Sequence, residues 1–382
     1  MNVGLYMDGY KPYLEFKDPG QITIGLNEIG IPTFLITIEK EELKNYIPPF
    51  PLIKIPKKML ASNFEDFFKE MDIVIFYSWI TKQYLEDIKR LRKINKKIII
   101  KSDSDGRIGI VRAPKPHFWG IRTSLWKIPL KIIPFNLVGI AQEMHKLEQI
   151  ENSQALIIET PDAAQNLIFF LTQYKRVDLI SKIHIIPNPV TPDFLEAPVG
   201  PKENIVISIG RWTDPAKNAQ TLISSIEGFL SVKKDWISLI IGPGEKKLMK
   251  LIRPISDKSI SRRIEITGEI DHKAINNYLT KAKILFSSSR WEGLGIASSE
   301  AICMGCTLVG TPLEPFRFLT LQGFSGNVAS SFQTSSLMGT LIFEARRWEE
   351  GKNDPMEISR FWRKELNRIS IGEKYKKIIS IL

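Results

Sequence analysis

Short apolar runs alternate with helix-like stretches through the first half of the chain. Continuously apolar runs that are typical of buried strands occur at 3–7, 32–38, 72–77, 97–101, 155–159 and 183–187. Helical spacing lies between several of them, at 20–29, 81–95 and 161–174. Parallel strands that are buried on both faces read as continuous apolar runs and need crossover helices. The pattern therefore predicts a parallel sheet covered on both faces.

A segment with five prolines, at 187–203, interrupts this pattern and predicts a domain boundary. The alternation then restarts with strands at 205–210, 237–242, 263–267, 284–288 and 307–310 and helices at 217–232, 245–252, 271–281 and 296–304. We therefore predict an α/β protein of two doubly wound domains, 1–195 and 196–355, followed by a helical tail at 356–382. Ligands of such sheets bind outside the carboxyl ends of the strands.

Composition and charge narrow the class of protein. Two cysteines among 382 residues exclude a disulfide scaffold, and no apolar run has the length that a membrane span needs. The first residues lack the pattern of a signal peptide, so we expect a cytoplasmic protein. Net charge is +11, and residues 82–131 hold 14 Lys and Arg against 4 Asp and Glu. This excess favours an anionic partner, such as a membrane surface or a phospholipid-linked acceptor, or else forms a solvated basic face.

The stretch 284–312 carries the clearest chemistry. Glu292 and Glu300 are eight positions apart, with Gly293 and Gly295 between them, after an apolar strand and before a helical pattern. Glycines let backbone N–H groups approach a ligand closely, and a helix N-terminus favours anions. We interpret the stretch as a site for the phosphates, sugar and ribose of a nucleotide-sugar.

A second pair of residues supports the same interpretation. Arg211 follows the first strand of the second domain, and Lys217 begins the helix after it. Two cations that flank a strand-to-helix turn suit a diphosphate, because charge-assisted bonds to phosphate oxygens are strong. By itself, however, the pattern also fits a structural arginine and a surface lysine.

Over 204–312 the sequence resembles family 4 glycosyltransferases, which have the GT-B fold of two Rossmann-like domains facing across a cleft. The motifs are IGRWTDPAKN, LIIGPG, ITGEID, LTKAKILFSSS and the two glutamates around EGLG. The resemblance implies a retaining transfer of a hexose-type sugar from a nucleotide-diphosphate sugar, with no metal and no other cofactor. It implies that Arg211, Lys217 and Glu292 act in catalysis. The residues expected to hold the donor are Gly210, Gly293, Leu294, Gly295 and Glu300.

The first domain departs from the family pattern. Many relatives have a histidine after an N-domain strand, whereas this chain reads KIIIKSDSDGRIG. We assign Asp105 to contact with the donor sugar, although Asp103 and Asp105 also suit a turn. The Asp103-Ser104-Asp105 triplet also matches the metal site of the unrelated GT-A transferases. Gly20 lies at the end of the loop 8–21, before a helix expected near Gln21. It is expected to allow close approach to the ligand, although a glycine at a helix start also suits a simple turn.

Two further features stay open at this level. Residues 112–138 interleave aromatic and basic side chains, which fits either a membrane interface or a proline-broken loop. Cys303 and Cys306 mimic a redox pair, but at a helix end they are better explained by packing.

The expected function is that of a glycosyltransferase acting on a glycan, lipid-linked or protein-linked acceptor. If the protein is peripherally bound to a membrane, we expect it on the inner face of the cell membrane. The alternatives are a non-catalytic nucleotide-sugar or glycan-binding subunit, motivated by the missing histidine, and a GT-B nucleotide-sugar epimerase. Nucleic acid is a poor candidate as partner, because the basic segment contains no known reading element.

Overall fold

The protein folds into two compact units. The computed structural model describes residues 1–78, 82–103, 106 and 135–382, with the side chains of 78, 82, 83 and 135–142 outside the description. The first unit contains Met1–Thr191 and Leu366–Leu382, and the second contains Pro192–Glu365. The sequence predicted the boundary after residue 195, four residues beyond the observed one. The predicted tail at 356–382 is divided, because residues 356–365 belong to the second unit and residues 366–382 to the first.

Seven parallel strands form the sheet of the first unit, in the order β3-β2-β1-β4-β5-β6-β7. The strands are β1 (Val3–Tyr6), β2 (Thr33–Ile38), β3 (Leu52–Ile55), β4 (Ile73–Ser78), β5 (Lys97–Ser102), β6 (Ala155–Ile158) and β7 (Ile183–Ile185). The helices of this unit are α1 (Asp18–Glu28), α2 (Lys82–Lys93), α3 (Phe135–Glu151), α4 (Pro161–Gln173) and α14 (Arg368–Ile381). Val3 and Leu5 belong to one apolar cluster and Tyr6 to another, so β1 is buried on both faces.

The last helix, α14, completes the first unit by packing on α1. Tyr375 belongs to the same apolar cluster as Ile22 of α1. Gly25 allows this approach, because a Cβ there would lie 2.4 Å from the carbonyl oxygen of Arg368. The Arg368 guanidinium also pairs with Glu28. The C-terminal end of the chain is therefore part of the first sheet's covering layer.

Six parallel strands form the sheet of the second unit, in the order β10-β9-β8-β11-β12-β13. They are β8 (Glu203–Ile209), β9 (Ile237–Ile241), β10 (Ile264–Gly268), β11 (Ala282–Ser287), β12 (Thr307–Gly310) and β13 (Gly326–Val328). The helices are α5 (Pro192–Leu195), α6 (Ala219–Val232), α7 (Glu245–Ile252), α8 (Lys258–Ser261), α9 (Ile275–Leu279), α10 (Ile296–Cys303), α11 (Glu314–Thr320), α12 (Thr334–Glu349) and α13 (Pro355–Leu366). Strand order reverses between β8 and β11, so the carboxyl ends of these two strands define the ligand edge.

The predicted α/β class with two Rossmann-like units is confirmed. Two strands, β3 and β13, were not predicted. Both lie at an edge of their sheet and have only four and three residues, and β13 begins at a glycine, so their apolar pattern is weak. Among the described residues, no helix is both long enough and apolar enough to cross a bilayer.

Candidate functional site

The turn between β8 and α6 places Lys217 at the point where strand order reverses. Asp214 caps a short 3-10 helix, Pro215–Lys217, by accepting a hydrogen bond from the Ala216 amide at 2.8 Å. The Ser288 hydroxyl, just after β11, donates to the carbonyl oxygen of Lys217 at 2.8 Å. The two loops that end β8 and β11 are thus tied together, and the position of Lys217 is fixed from both.

Lys217 and Glu292 meet in this corner, as the sequence led us to expect of two site residues. The ammonium group pairs with Oε1 of Glu292, and the side chains are 22% and 14% exposed. The Ser289 hydroxyl donates to the same oxygen at 2.6 Å. The charge of Lys217 is therefore balanced by a carboxylate that is itself held by a serine.

A small open pocket of about 30 Å³ lies beside this ion pair. Its wall is formed by the end of β8, the end of β11 and the first turn of α10, including Ile296, Ala297 and Ser298. Helix α10 has free N–H groups at its start, so the pocket combines an ammonium group with a helix N-terminus. This combination suits an anion such as a phosphate.

The glycine-rich bend before α10 has the geometry that such a pocket needs. Gly295 has φ +85° at the N-cap of α10, a conformation that L side chains rarely adopt. Leu294 is buried and anchors the bend to the core, while its neighbour Gly293 is half-buried. The expected contact of their backbone N–H groups with a donor remains a prediction.

Arg211 and Gly210 lie at the end of β8. Arg211 is exposed, and no described residue accepts a hydrogen bond or ion pair from its guanidinium, which leaves it available for an anion. A Cβ on Gly210 would meet the Lys217 side chain at 3.3 Å. Gly242, which sequence reasoning did not select, has φ +114°, and a Cβ there would lie 2.1 Å from the Gly210 carbonyl oxygen. These glycines let the ends of β8 and β9 approach each other.

Glu300 has a partner that the sequence did not reveal. Its side chain is only 3% exposed, and Oε1 lies 2.8 Å from Nε2 of His272. His272 precedes α9, in the crossover from β10 back to β11. Burial acts to lower the pKa of His272, but the hydrogen bond and charge of Glu300, with Asp193 and Asp271, outweigh it and raise that pKa. A histidine that is distant in sequence gave no signal, because only the crossover brings it to α10.

In the first unit, Gly20 is not in a loop as predicted. Helix α1 begins at Asp18, so Gly20 lies in its first turn and is buried. A Cβ there would lie 2.5 Å from the backbone of Glu15. Its observed role is close packing of the turn before α1 against the helix, and a contact with a donor is only a proposal.

Asp105 lies outside the described residues, as do Ser104 and most of the segment 112–138. Asp103 is described and accepts a hydrogen bond from the Tyr77 hydroxyl at 3.3 Å, a hydroxyl that is also bound to Asp18. Burial, reinforced by the charge of Glu159, raises the pKa of Asp103 to about 8. Burial and the charge of Asp103 raise the pKa of Asp18 to about 6. This end of the sheet therefore holds two carboxyl groups that release their protons at higher pH than exposed aspartates do.

A buried lysine completes this cluster. The carboxylate oxygens of Asp18, Asp103 and Glu159 lie within 4.8 Å of one another, a spacing that metal ions use. The Lys101 ammonium, however, lies 2.7 Å from Glu159, and the two side chains are 0% and 1% exposed. Because an ammonium group already provides the compensating cation, we assign no metal to this cluster. Metal independence of the reaction stays a prediction.

The two cysteines have a structural environment. Cys303 and Cys306 are both buried free thiols, and burial raises the pKa of each. Lys202 donates to the carbonyl oxygen of Met304 at 2.7 Å, and Arg363 donates to that of Cys303 at 2.8 Å. Two cations therefore cap the C-terminal end of α10, which agrees with packing rather than redox chemistry.

Solved structures with the same architecture define the class. The chain aligns over its full length with HepE of Anabaena in complex with UDP, at a TM-score of 0.70 and 11% identity, covering 100% of that chain. It aligns equally completely with the sucrose-phosphate synthase of Thermosynechococcus elongatus, at a TM-score of 0.66 and 14% identity. Identities this low show the fold alone, and that fold is GT-B.

Sequence matches point to glycosyltransferases as well. Residues 193–342 match the family described as glycosyl transferases group 1. Over 364 residues, 90% of this chain, the sequence is 22% identical to the poly(glycerol-phosphate) alpha-glucosyltransferase of Bacillus subtilis (strain 168). The match covers 52% of that relative, so the chain spans about half its length. Residues 193–342 therefore resemble the group 1 glycosyltransferases, and the narrower assignment to family 4 stays a prediction.

Proposed function

We propose that this protein is a retaining glycosyltransferase that moves a hexose-type sugar from a nucleotide-diphosphate sugar to a glycan, lipid-linked or protein-linked acceptor without a metal. The observation that carries the proposal is the pocket beside Lys217 and Glu292, where an ammonium group and the N-terminus of α10 meet at the strand-order reversal. A group 1 glycosyltransferase domain spans this pocket.

Binding of the donor would change the partner of Lys217. In the structure the ammonium group of Lys217 pairs with Glu292. A diphosphate in the pocket would offer it oxygens of higher charge, with Arg211 free to bind from the exposed side. Glu292 would then face the donor sugar. Since charge grows on the diphosphate as the glycosidic bond breaks, Lys217, Arg211 and the start of α10 would stabilise the transition state more than the bound donor.

The other proposed site residues would contact the sugar, phosphate and ribose of the same donor. The backbone of Gly293–Gly295 would approach the sugar and phosphate, and the Glu300 carboxylate would accept hydrogen bonds from the ribose diol. In a retaining reaction the acceptor attacks from the face that the diphosphate leaves. Asp105 is proposed near the reacting sugar.

Charge indicates the chemistry of the acceptor. The net charge of +11 and the basic excess over 82–131 favour an anionic acceptor or an anionic membrane surface. The poly(glycerol-phosphate) named in the relative from Bacillus subtilis is an anionic polymer, and we extend that acceptor class to this chain as a proposal. Flotation with phosphatidylglycerol liposomes at low salt tests the peripheral membrane association, and absence of binding would contradict it.

One observation favours a second candidate, a non-catalytic nucleotide-sugar-binding subunit. Many relatives have a histidine after an N-domain strand. Here β5 ends in Lys101-Ser102 and is followed by Asp103, and Lys101 is buried in an ion pair. Turnover distinguishes the two functions. An enzyme should slowly release free nucleotide from its donor even without acceptor, whereas a binding subunit should hold the intact nucleotide-sugar.

The first experiment is a thermal-shift screen with UDP, GDP, ADP, CMP and their sugars, followed by a nucleotide-release assay on each donor that stabilises the protein. We expect one diphosphate class to raise Tm, and Glu292→Ala to abolish release of its nucleotide. A protein that no nucleotide stabilises would contradict the proposal. A product that keeps its nucleotide would identify an epimerase.

A further inference from the structure

We propose that His272 is a positioning residue for the ribose-binding carboxylate, which it holds in one orientation through the Nε2–Oε1 hydrogen bond to Glu300. The inference rests on the proposed function, because it assigns Glu300 to a nucleotide. An ionised carboxylate has no proton to donate, so at neutral pH the hydrogen in the 2.8 Å contact belongs to the histidine. Each carboxylate oxygen can accept two hydrogen bonds, so the contact with His272 does not by itself exclude a cis-diol as a further donor.

The imidazole is itself held in place. Its ring packs edge-on against Phe194, with ring centroids 5.0 Å apart and an interplanar angle of 66°. Phe194 is fully buried in α5, at the start of the second unit. A ring that is fixed by an aromatic neighbour can restrict the rotamer of the carboxylate that it contacts. The carboxylate then loses less conformational entropy when ribose binds, and this smaller cost raises the affinity.

The surrounding charges set the protonation of this pair. Glu300 on α10, Asp193 on α5 and Asp271 in the preceding turn are the acidic groups around the ring, and together they raise the pKa of His272 against the opposing effect of burial. Below that raised pKa the imidazolium forms an ion pair with Glu300. As pH rises through it, the charge is lost and only a neutral hydrogen bond remains. Preference for the ribose diol should weaken over the same range.

The test measures how strongly the protein prefers a ribose diol. Isothermal titration with UDP, GDP and ADP, each beside its 2′,3′-dideoxy form, gives the ratio of the two Kd values. Since hydrogen bonds to a charged group are worth about ten- to a hundredfold in affinity, wild type should prefer the ribose form by about that factor. Glu300→Ala should bring the ratio close to one.

Histidine variants then separate positioning from simple packing. His272→Ala should lower the ratio by about fivefold, and should change nothing further in the Glu300→Ala background. His272→Gln restores a neutral donor near the Nε2 position, so its ratio should equal the high-pH value of wild type and should not vary with pH. His184→Gln, which alters a half-buried histidine on β7 of the other unit, is the matched control and should leave the ratio unchanged.

Different results overturn different claims. A ratio that falls in Glu300→Ala but is unchanged in His272→Ala, or a pH dependence that persists in His272→Gln, would refute the positioning role alone. If none of the nucleotides binds to wild type, the proposed function fails and the inference fails with it. Should His272→Ala not fold, the pH profile of His272→Gln still decides.

Discussion

Replacing Lys101 with methionine should destabilise the first unit strongly. Lys101 is fully buried on β5, and its ammonium group lies 2.7 Å from Glu159. The Asn188 amide donates to the same glutamate oxygen, also at 2.7 Å. Methionine keeps the length and the apolar stem of lysine but removes the cation. Glu159 would then be a buried carboxylate compensated by one neutral amide, with Asp103 close by.

The structure sets the expected size of the effect. Removing one partner of a buried ion pair costs about 3–5 kcal/mol, because the remaining charge has lost its counter-ion. For a unit of about 200 residues, each kcal/mol lowers Tm by about 2–4 °C, so a fall of about 6–20 °C is expected.

Differential scanning calorimetry of the full chain measures this loss, since it reports the transition of each unit if they melt separately. Lys93→Met, on an exposed position of α2, is the matched control and should change stability by less than about 0.5 kcal/mol. The double variant Lys101→Met/Glu159→Gln removes both charges and should recover most of the lost Tm. A Tm of Lys101→Met within about 2 °C of wild type would show that the buried pair contributes no net stability.

Three further predictions concern the two sheets. Arg211→Ala or Lys217→Ala should lower turnover about a hundredfold by removing a cation from the diphosphate, and normal activity in the double variant would contradict this assignment. Burial raises the pKa of Asp103 from 3.8 to about 8, so in this pH range Asp103 holds a proton in the folded state that it releases on unfolding. The free energy of unfolding should therefore fall as pH rises from about 4 to about 8. Urea titrations should show a flatter pH profile of stability for Asp103→Asn, and an unchanged profile would refute the assignment. Gly242→Ala should lower the free energy of unfolding by about 2 kcal/mol in the same titrations, because Gly242 has a φ of +114° and a Cβ there would contact Gly210. Gly339→Ala in α12 is the control and should not destabilise, because a Cβ there meets no atom within 4 Å. Equal effects would count against the steric argument.

The pairing of Lys217 with Glu292 has a functional consequence. Each residue satisfies the other, so the pocket carries less positive charge than its cation alone would give it. A diphosphate bound there would have to compete with Glu292 for the ammonium group. Glu292→Gln would weaken this competition and would also alter the contact proposed for the sugar, so it changes both contributions.

The sequence by itself determined the α/β class and the positions of most of the strands. Apolar runs such as 97–101 are long enough to be recognised because a parallel strand buries both faces. The turns at the ends of β8 and β11 were also recognisable, since Arg211, Lys217, Glu292 and the glycines form local sequence patterns; their roles stay a prediction. In each case the physical cause lies within a few residues of the signal.

Only the tertiary structure decided which distant groups meet. His272 reaches Glu300 because the crossover from β10 returns to the strand beside β8, and no local pattern encodes that return. Lys101 looked like the polar end of an apolar strand, yet Glu159 and Asn188, brought by β6 and the segment after β7, make its burial tolerable. A charge inside a protein is stable only through partners, and those partners come from neighbouring strands in the sheet rather than from neighbouring positions in the chain.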